Sequence, residues 1–208
     1  LVAATKTRSA DEINEAIATS IADVGENKVQ KFTAKYDAVC GANRHYIGHL
    51  QTNKVKYLIG KTCLIHSLDR FELADEIQKR AAKAEWTADC LIEVNIGSEL
   101  SKSGFSPDDS AAAYEKLRGY SDLRIRGLMA MLPLGGDAAL WQSLCKKMRA
   151  LYETLRDRDE NICYLSMGMS GDWRICTENG SNMIRLGTAL FGPRHYPSEG
   201  EKAEEDKK

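Results

Sequence analysis

The sequence predicts an α/β protein built as a single (β/α)8 barrel, the TIM-barrel fold. Short apolar runs rich in β-branched residues recur along the chain, and amphipathic segments lie between most of them. This alternation favours parallel βαβ units, whose strands are covered on both faces and therefore apolar almost throughout. Eight such units are enough to close a barrel. Polar residues follow the carboxyl ends of these runs, where barrels place their functional sites.

The eight apolar runs are the predicted strands. Each has the length of a strand, and turn or cap residues bound most of them. In chain order they cover residues 1–5, 21–24, 45–50, 63–67, 90–95, 125–131, 164–169 and 183–190.

Helix-start signals lie between the strands. In a capping box, a cap residue binds backbone amides and an acid three residues later reaches back. Two such boxes occur, Ser9 with Glu12 and Asp69 with Glu72. Further helix starts are predicted at Ser106-Pro107 and at Asp137.

Composition excludes several classes of protein. The chain has 208 residues, six cysteines and a formal net charge of −1. This balance lacks the basic footprint of nucleic-acid-binding proteins, and no apolar run is long enough to cross a membrane. The cysteines never form a C-x-x-C pair, so we expect free, mostly buried thiols in a reducing, cytoplasmic protein.

One domain is expected. The barrel would occupy residues 1–196 and lack a helix before its first strand, because the chain begins inside an apolar run. A targeting peptide upstream of that run would make a mitochondrial location the alternative. No helix is predicted after the last strand, so an upstream helix completes the barrel or the barrel stays partly open. Residues 197–208 are a charged, low-complexity run, which predicts a disordered tail.

The last predicted strand contains an arginine, Arg185. A buried guanidinium needs a partner, which is either a structural ion pair or a ligand with an acceptor atom. Gly187 and Thr188 follow it, a small residue and a hydroxyl, where the backbone can approach an anion closely. A similar loop, Ser170-Gly171, follows the seventh strand. Barrels often bind phosphate in these two loops, so the pair favours an anion site over two ordinary turns.

Lys6 ends the first strand. A lysine at the partly desolvated mouth of a barrel has a lowered pKa and a nucleophilic amine, as a Schiff base requires. A side chain that reaches to solvent is the alternative, and the same alternatives apply to Lys102. His45 and His49 share a strand face, but no further ligand accompanies them at metal spacing. We therefore expect no metal, with His45 structural and His49 on the rim.

Six motifs occur in the order of a known family. They resemble those of the pyridoxal phosphate homeostasis proteins, relatives of the barrel domain of bacterial alanine racemase. The resemblance extends from residue 1 to about residue 194. The motifs are residues 1–7, 24–30, 47–54, 127–131, 166–170 and 184–192.

The resemblance implies a (β/α)8 barrel of the alanine racemase N-terminal type that binds pyridoxal 5′-phosphate (PLP). It also implies a role for each matching residue, while a secondary PLP site at Lys102 stays open. The implied contacts are Lys6 for the Schiff base, Arg185 for the pyridine nitrogen, Ser170, Gly187 and Thr188 for the phosphate, and Asn27 and Met169 around the ring.

The implied function is that of a monomeric PLP carrier or buffer that supplies apo-enzymes. An arginine facing the pyridine nitrogen can only donate, so the ring stays unprotonated and is a weak electron sink. Racemisation also needs a second acid or base, which alanine racemases take from another domain. We therefore expect no robust catalysis. A low-activity PLP-dependent amino-acid racemase and a PLP-free barrel enzyme acting on a sugar phosphate are the alternatives.

Overall fold

The computed structural model describes residues 1–99 and 102–193, so the predicted tail and residues 194–196 of the predicted barrel lie outside the described residues. Eight parallel strands form one sheet. They are β1 (Val2–Ala4), β2 (Asp23–Glu26), β3 (Asn43–Tyr46), β4 (Leu64–Leu68), β5 (Ala88–Val94), β6 (Leu123–Ala130), β7 (Tyr164–Ser166) and β8 (Arg185–Leu186).

Helices follow most strands, as the alternating pattern predicts. A 3₁₀ helix, Thr52–Tyr57, lies between β3 and β4, and the other described helices are α-helical. They are α1 (Ala10–Ala18), α2 (Val29–Lys35), α3 (Phe71–Lys83), α4 (Ser110–Leu117), α5 (Ala138–Arg156), α6 (Trp173–Glu178) and α7 (Thr188–Phe191).

The sheet curls into a nearly closed barrel. Its strand order is β7-β6-β5-β4-β3-β2-β1-β8, so β1 pairs with both β2 and β8. β7 and β8 form no continuous ladder. The segments around them meet through a bridge between Ser166 and Met183 and through separate backbone hydrogen bonds, such as the one from the Arg185 amide to the Gly168 carbonyl (2.9 Å). The predicted (β/α)8 barrel is confirmed, and its weakest seam lies between the seventh and eighth strands.

Side chains alternate between the barrel interior and the helix-covered outside. On β4, Leu64 joins an interior apolar cluster, whereas Ile65 belongs to the large cluster under the helices. A register irregularity between Ile65 and Leu68 interrupts the alternation and places Leu68 in the large cluster as well. The members of the interior cluster come from opposite sides of the barrel and meet in its centre. They are Val2, Leu64, Leu91, Met129 and Met183. Polar side chains fill the rest of the interior, and they lead to the site.

The prediction for the last strand is wrong in its second half. The sequence predicts a strand over residues 183–190, but β8 ends at Leu186. The chain turns at Gly187 (φ −114°, ψ −82°) and forms α7, in which the Phe191 amide donates to the Gly187 carbonyl (2.9 Å). Short apolar runs in strands and in helices look alike in sequence, so the turn decides between them.

The third strand is displaced from its predicted position. β3 ends at Tyr46, whereas the apolar run continues to residue 50. At Gly48, just past this early end, an added Cβ would lie 2.1 Å from the carbonyl oxygen of Asn27. Only a glycine permits the backbone of this loop to pass so close to the end of β2.

Two predicted helix starts are confirmed. Ser9 Oγ accepts from the Glu12 amide (3.2 Å) and a Glu12 carboxylate oxygen accepts from the Ser9 amide (2.7 Å), which is a full capping box. Asp137 accepts from the Leu140 amide (2.7 Å) at the start of α5.

Two other predicted starts are wrong. The Asp69 carboxylate pairs with His49 Nδ1 (3.0 Å) at the rim of the barrel and does not cap a helix. The helix α3 therefore begins without a side-chain cap. Ser106 accepts from the Asp109 amide (3.0 Å), which caps a turn, and α4 begins only after that turn. In both cases a tertiary or local contact uses the side chain that the sequence assigns to the helix.

Candidate functional site

A cavity of about 260 Å³ opens at the carboxyl ends of β1, β7 and β8. Three loops that are distant in sequence meet there because the barrel places these strands side by side. Six of the seven residues predicted from the sequence line it, namely Lys6, Met169, Ser170, Arg185, Gly187 and Thr188. Leu134, which is 90% exposed, lies at its edge.

Lys6 stands in a loop that is tied down from several sides. Thr7, next to it, has φ of 106°, which strains a β-branched residue. Lys35 of α2 donates to the carbonyl oxygens of Thr5 (3.0 Å) and Arg8 (3.3 Å), on either side of Lys6. Lys35 is itself paired with the buried carboxylate of Glu26 (2.6 Å). These contacts hold the loop against the relaxation that its strain favours.

Arg8 joins this loop to the chain that follows β8. Its guanidinium donates to the carbonyl oxygen of Gly192 (2.9 Å) and to the carboxylate of Glu12 (3.1 Å). It also lies over the ring of Phe191. The loop after β1 and the end of α7 are thereby held together beside the cavity.

Arg185 is 5% exposed, and its hydrogen bonds go to neutral acceptors. It donates to the carbonyl oxygen (3.0 Å) and Oγ (2.6 Å) of Ser166 and to the carbonyl oxygen of Ala130 (3.0 Å). Within residues 1–99 and 102–193, no carboxylate forms a salt bridge with it. The described contacts therefore do not include the ion pair that was one of the two sequence-based alternatives.

Arg185 nevertheless keeps its charge. Burial lowers its pKa to about 10, and the nearby carboxyl groups of Glu93 and Asp172 oppose that shift. Glu93 is itself buried, and burial together with Asp69 raises its pKa to about 7, while Arg185 opposes the rise. A charged guanidinium thus influences, and is influenced by, a buried carboxyl whose pKa lies near neutral pH.

The two small-residue loops face the same cavity. Ser170 Oγ accepts from the Ala189 amide at the start of α7 (3.1 Å), which links the two loops directly. Asp172 accepts from the Met169 amide (2.5 Å) and shapes the turn before α6. A Cβ added to Gly171 would meet nothing within 4 Å. The loops therefore offer a hydroxyl and an open backbone to a ligand, which suits a phosphate group.

Asn27 is the exception among the predicted site residues. It lines a different pocket, together with Tyr46 and His49. The backbone amide of Asn27 donates to the neighbouring Glu26 carboxylate (2.9 Å), and its backbone carbonyl accepts from the Tyr46 hydroxyl (3.4 Å). The structure does not bring this residue into the cavity with the other six.

The chain matches known proteins over most of its length. The family model described as alanine racemase, N-terminal domain, matches residues 4–195. The pyridoxal phosphate homeostasis proteins of Aquifex aeolicus and Pseudomonas aeruginosa are 42% and 33% identical to it, over 94% of this chain and 87% and 85% of theirs. The chain belongs to the pyridoxal phosphate homeostasis protein family.

Solved structures agree with this family assignment. The homeostasis family's fold recurs in PipY of Synechococcus elongatus, solved without PLP (TM-score 0.86, 33% identity) and with PLP bound (TM-score 0.82, 32% identity). Each match covers 92% of this chain and 91% of PipY. Alanine racemase of Clostridium difficile is 14% identical with a TM-score of 0.74, over 95% of this chain and 52% of the racemase, and shows the fold alone.

Four buried polar residues lie behind the cavity of this homeostasis-family chain, and the sequence analysis did not assign them to the site. His45, His66, Ser166 and Glu93 are buried near Arg185 or linked to it. Each of the four lies within a predicted strand, and a polar residue in an apolar strand is the sequence signal that could have identified it. The structural role predicted for His45 is confirmed, because its ring bonds to His66 (2.9 Å) within the barrel.

Other sequence-based expectations bear on the rest of the molecule. Lys102 donates to the Leu132 carbonyl (3.3 Å), pairs with Glu99 and does not line the cavity. No described helix is long and apolar enough to cross a membrane, and the described residues contain no cluster of three metal-ligating side chains. All six cysteines are free thiols, and the expectation that they are mostly buried is wrong for the exposed Cys40 and Cys63.

Proposed function

We propose that this chain binds pyridoxal 5′-phosphate at the β1–β7–β8 cavity and carries or buffers it, without robust catalysis. One observation supports the site most directly. A lysine, a buried guanidinium and two small-residue loops line a single cavity at the carboxyl rim of the barrel. Relatives at up to 42% identity are named pyridoxal phosphate homeostasis proteins, and the related PipY has been solved with PLP bound.

Each lining residue has a distinct part in the proposal. Lys6 would hold the cofactor covalently, because an amine condenses with an aldehyde to form a Schiff base and release water. Ser170, Gly187 and Thr188 would bind the phosphate through hydroxyl and backbone groups, and Met169 would lie beside the ring. Asn27 keeps its proposed place around the ring only as a prediction, because it lines a different pocket.

Arg185 supports a carrier over a catalyst. Bound PLP supplies a ring that withdraws electrons from an attached substrate, and it does so best when its nitrogen is protonated. A guanidinium has no acceptor atom, so a ring nitrogen that faces Arg185 receives a hydrogen bond and stays unprotonated. This arrangement retains the cofactor and weakens its capacity to stabilise a carbanion.

The composition of the cavity lining also supports a carrier. Racemisation needs a second acid or base on the face opposite the attachment lysine. The cavity-lining residues of the described chain include no tyrosine, histidine, cysteine, aspartate or glutamate. The proposed role is therefore to hold a reactive aldehyde and release it to PLP-dependent apo-enzymes.

Absorbance spectroscopy with chemical trapping tests the proposal. Protein incubated with PLP and freed of excess should show imine absorbance, and borohydride reduction followed by peptide mapping should place the label on Lys6. Lys6→Ala should lose the label, whereas Lys102→Ala, which changes another rim lysine, should keep it. An unlabelled Lys6 in the wild-type protein would overturn the proposed site.

The same samples separate the alternatives. Interconversion of alanine enantiomers at a rate that Lys6→Ala abolishes would favour the racemase. Absence of imine absorbance after addition of PLP would favour a PLP-free enzyme of sugar phosphates.

The cellular setting is part of the same proposal. A monomeric state and a cytoplasmic location fit a carrier that meets many apo-enzymes. The six free thiols support a reducing compartment, in which disulfides rarely persist. Sedimentation of the PLP-loaded protein tests the monomer, and a dimer would contradict it.

A further inference from the structure

A line of hydrogen-bonded side chains connects Arg185 with the amino-terminal end of β2. Arg185 Nη1 lies 2.6 Å from Ser166 Oγ, which lies 3.2 Å from His66 Nδ1. His66 Nε2 lies 2.9 Å from His45 Nδ1, and His45 Nε2 lies 3.2 Å from Asp23 Oδ1. His66 on β4 and Ser166 on β7 belong to strands that are not neighbours, so the line crosses the barrel interior.

The line is buried along most of its length. Ser166 and His66 are 0% exposed and His45 is 4% exposed, whereas the Asp23 side chain is 30% exposed. Buried polar groups are costly unless each has a partner, so these contacts are expected to be made in full.

The chemistry of its two ends determines which atoms donate. Arginine can only donate, so Ser166 Oγ accepts from Arg185. The hydroxyl keeps a second lone pair and one hydrogen and can meet either tautomer of His66, so the Asp23 end selects the tautomer, in which the hydroxyl donates to a bare His66 Nδ1. A neutral His66 then carries its proton on Nε2 and donates to His45 Nδ1. His45 in turn carries its proton on Nε2 and donates to the carboxylate of Asp23.

The opposite direction fails at Asp23. A neutral His45 that donated from Nδ1 would bring the lone pair of Nε2 against a carboxylate. Burial alone would raise the pKa of Asp23, but hydrogen bonds from Asn43 and His45 lower it, so the carboxylate is ionised at neutral pH. Burial lowers the pKa of His45 despite the opposing effect of Asp23. Burial, and then the neighbouring His45 and Arg185, hold the pKa of His66 well below its usual value.

We propose that Asp23, His45, His66 and Ser166 are positioning residues for Arg185, joined in a one-way hydrogen-bond line that ends on the Asp23 carboxylate. The described contacts of the guanidinium use both hydrogens of Nη1 and one of Nη2. The Nε hydrogen and the second Nη2 hydrogen are thereby left for the acceptor atom of a ligand. The effect on ligand retention rests on the proposed function, whereas the direction of the line does not.

Nitrogen NMR of the PLP-free protein tests the direction. The chain has four histidines, so signals that persist in His49→Gln and in His195→Gln belong to His45 and His66. Near pH 7 both buried rings should carry the proton on Nε2 and a bare Nδ1. A proton on Nδ1 of either buried ring would overturn the proposal, whether or not the protein binds PLP.

Release of PLP tests the positioning role. Asp23→Ala should keep the attachment at Lys6, yet give a mixture of His66 tautomers and release PLP about 2- to 10-fold faster, the range of one lost hydrogen bond. Asp23→Asn should restore slow release, because its amide oxygen still accepts from His45. Asp89→Ala, which removes another carboxylate near the amino end of a strand, is the matched control and should release PLP at the wild-type rate.

Two results would contradict the positioning role. One is an unchanged release rate in Asp23→Ala, and the other is equally fast release in Asp89→Ala. Failure of the wild-type protein to bind PLP would instead reject the proposed function and leave the NMR result standing.

Discussion

The ammonium of Lys35 lies 2.6 Å from the buried carboxylate of Glu26, and the same group donates to the Thr5 carbonyl oxygen (3.0 Å) next to Lys6. An ion pair outside the cavity thus fixes the loop that carries the proposed attachment lysine. Glu26 is buried, and the Lys35 side chain is only slightly exposed. Removal of the cation therefore leaves a charge in an apolar setting.

We predict that Lys35→Met destabilises the protein by about 3–5 kcal/mol, the usual cost of breaking a buried ion pair on one side. Urea unfolding at neutral pH measures it. Lys31→Met removes an exposed lysine from the same helix and should stay within about 0.5 kcal/mol of the wild type. The double variant Lys35→Met with Glu26→Gln should recover part of the loss. A single variant as stable as Lys31→Met would contradict the role of the pair.

Replacement of Arg185 should affect retention of PLP more than its attachment. Arg185→Met keeps much of the side-chain volume but leaves the Ser166 and Ala130 carbonyls without their donor. A hydrogen bond to a charged group contributes about 1.5–3 kcal/mol, so release of PLP should be about 10- to 100-fold faster. Dialysis followed by absorbance measures it. Arg174→Met, at an exposed arginine of α6, is the control, and equal release rates would refute the assigned contact.

Glu93→Gln should stabilise the PLP-free protein in a pH-dependent way. The pKa of Glu93 is raised from 4.5 to about 7, so the native state holds a proton that the unfolded chain has already lost. The stabilisation from that proton is present below about pH 4.5 and is lost as pH rises to about 7. Glutamine does not titrate, so the gain should grow from pH 4 to pH 8, up to about 3 kcal/mol.

Thermal unfolding at several pH values checks this difference. Glu115→Gln, at an exposed glutamate of α4, should show no such trend. A gain from Glu93→Gln of the same size at pH 4 and pH 8 would contradict the raised pKa.

Thr7→Gly should relieve backbone strain beside Lys6. A φ of 106° costs a β-branched residue about 1–3 kcal/mol, and glycine avoids that cost but loses more chain entropy on folding. We expect a net gain of about 1 kcal/mol in unfolding free energy, together with slower attachment of PLP because the loop is less constrained. Thr7→Ala keeps the Cβ and should show neither effect. A stability gain in both variants would point to the hydroxyl and not to the backbone.

Local patterns were sufficient for the fold class and for bringing six of the predicted residues to one cavity. The apolar runs predict the strands because a buried parallel strand is apolar along its whole length. Ends of parallel strands meet at one rim, so Lys6, Ser170 and Thr188 could be expected together before their contacts were known. The helix start at Ser9 was equally predictable, because its capping box is made within four residues.

Predictions failed where the tertiary structure gives a residue a different role from the one that its neighbours in sequence indicate. Asp69 has the spacing of a capping box, but it lies against His49 at the rim. The last apolar run continues past β8, yet the turn at Gly187 converts its end into α7. Asn27, in contrast, lines a different pocket from the other six residues, and its place around the ring stays a prediction.

The sequence by itself determined the barrel, the lysine at its rim and the arginine in its last strand, because strand periodicity and strand ends are local properties. Only the tertiary structure decided what Arg185 touches. His66 and Ser166 are 100 residues apart, and they meet because closure of the barrel directs non-neighbouring strands into one interior. A single polar residue in an apolar strand carries no periodic signal that names its partner. The barrel geometry sets that partner, and it thereby sets the hydrogen bonds of the Arg185 guanidinium at the proposed site.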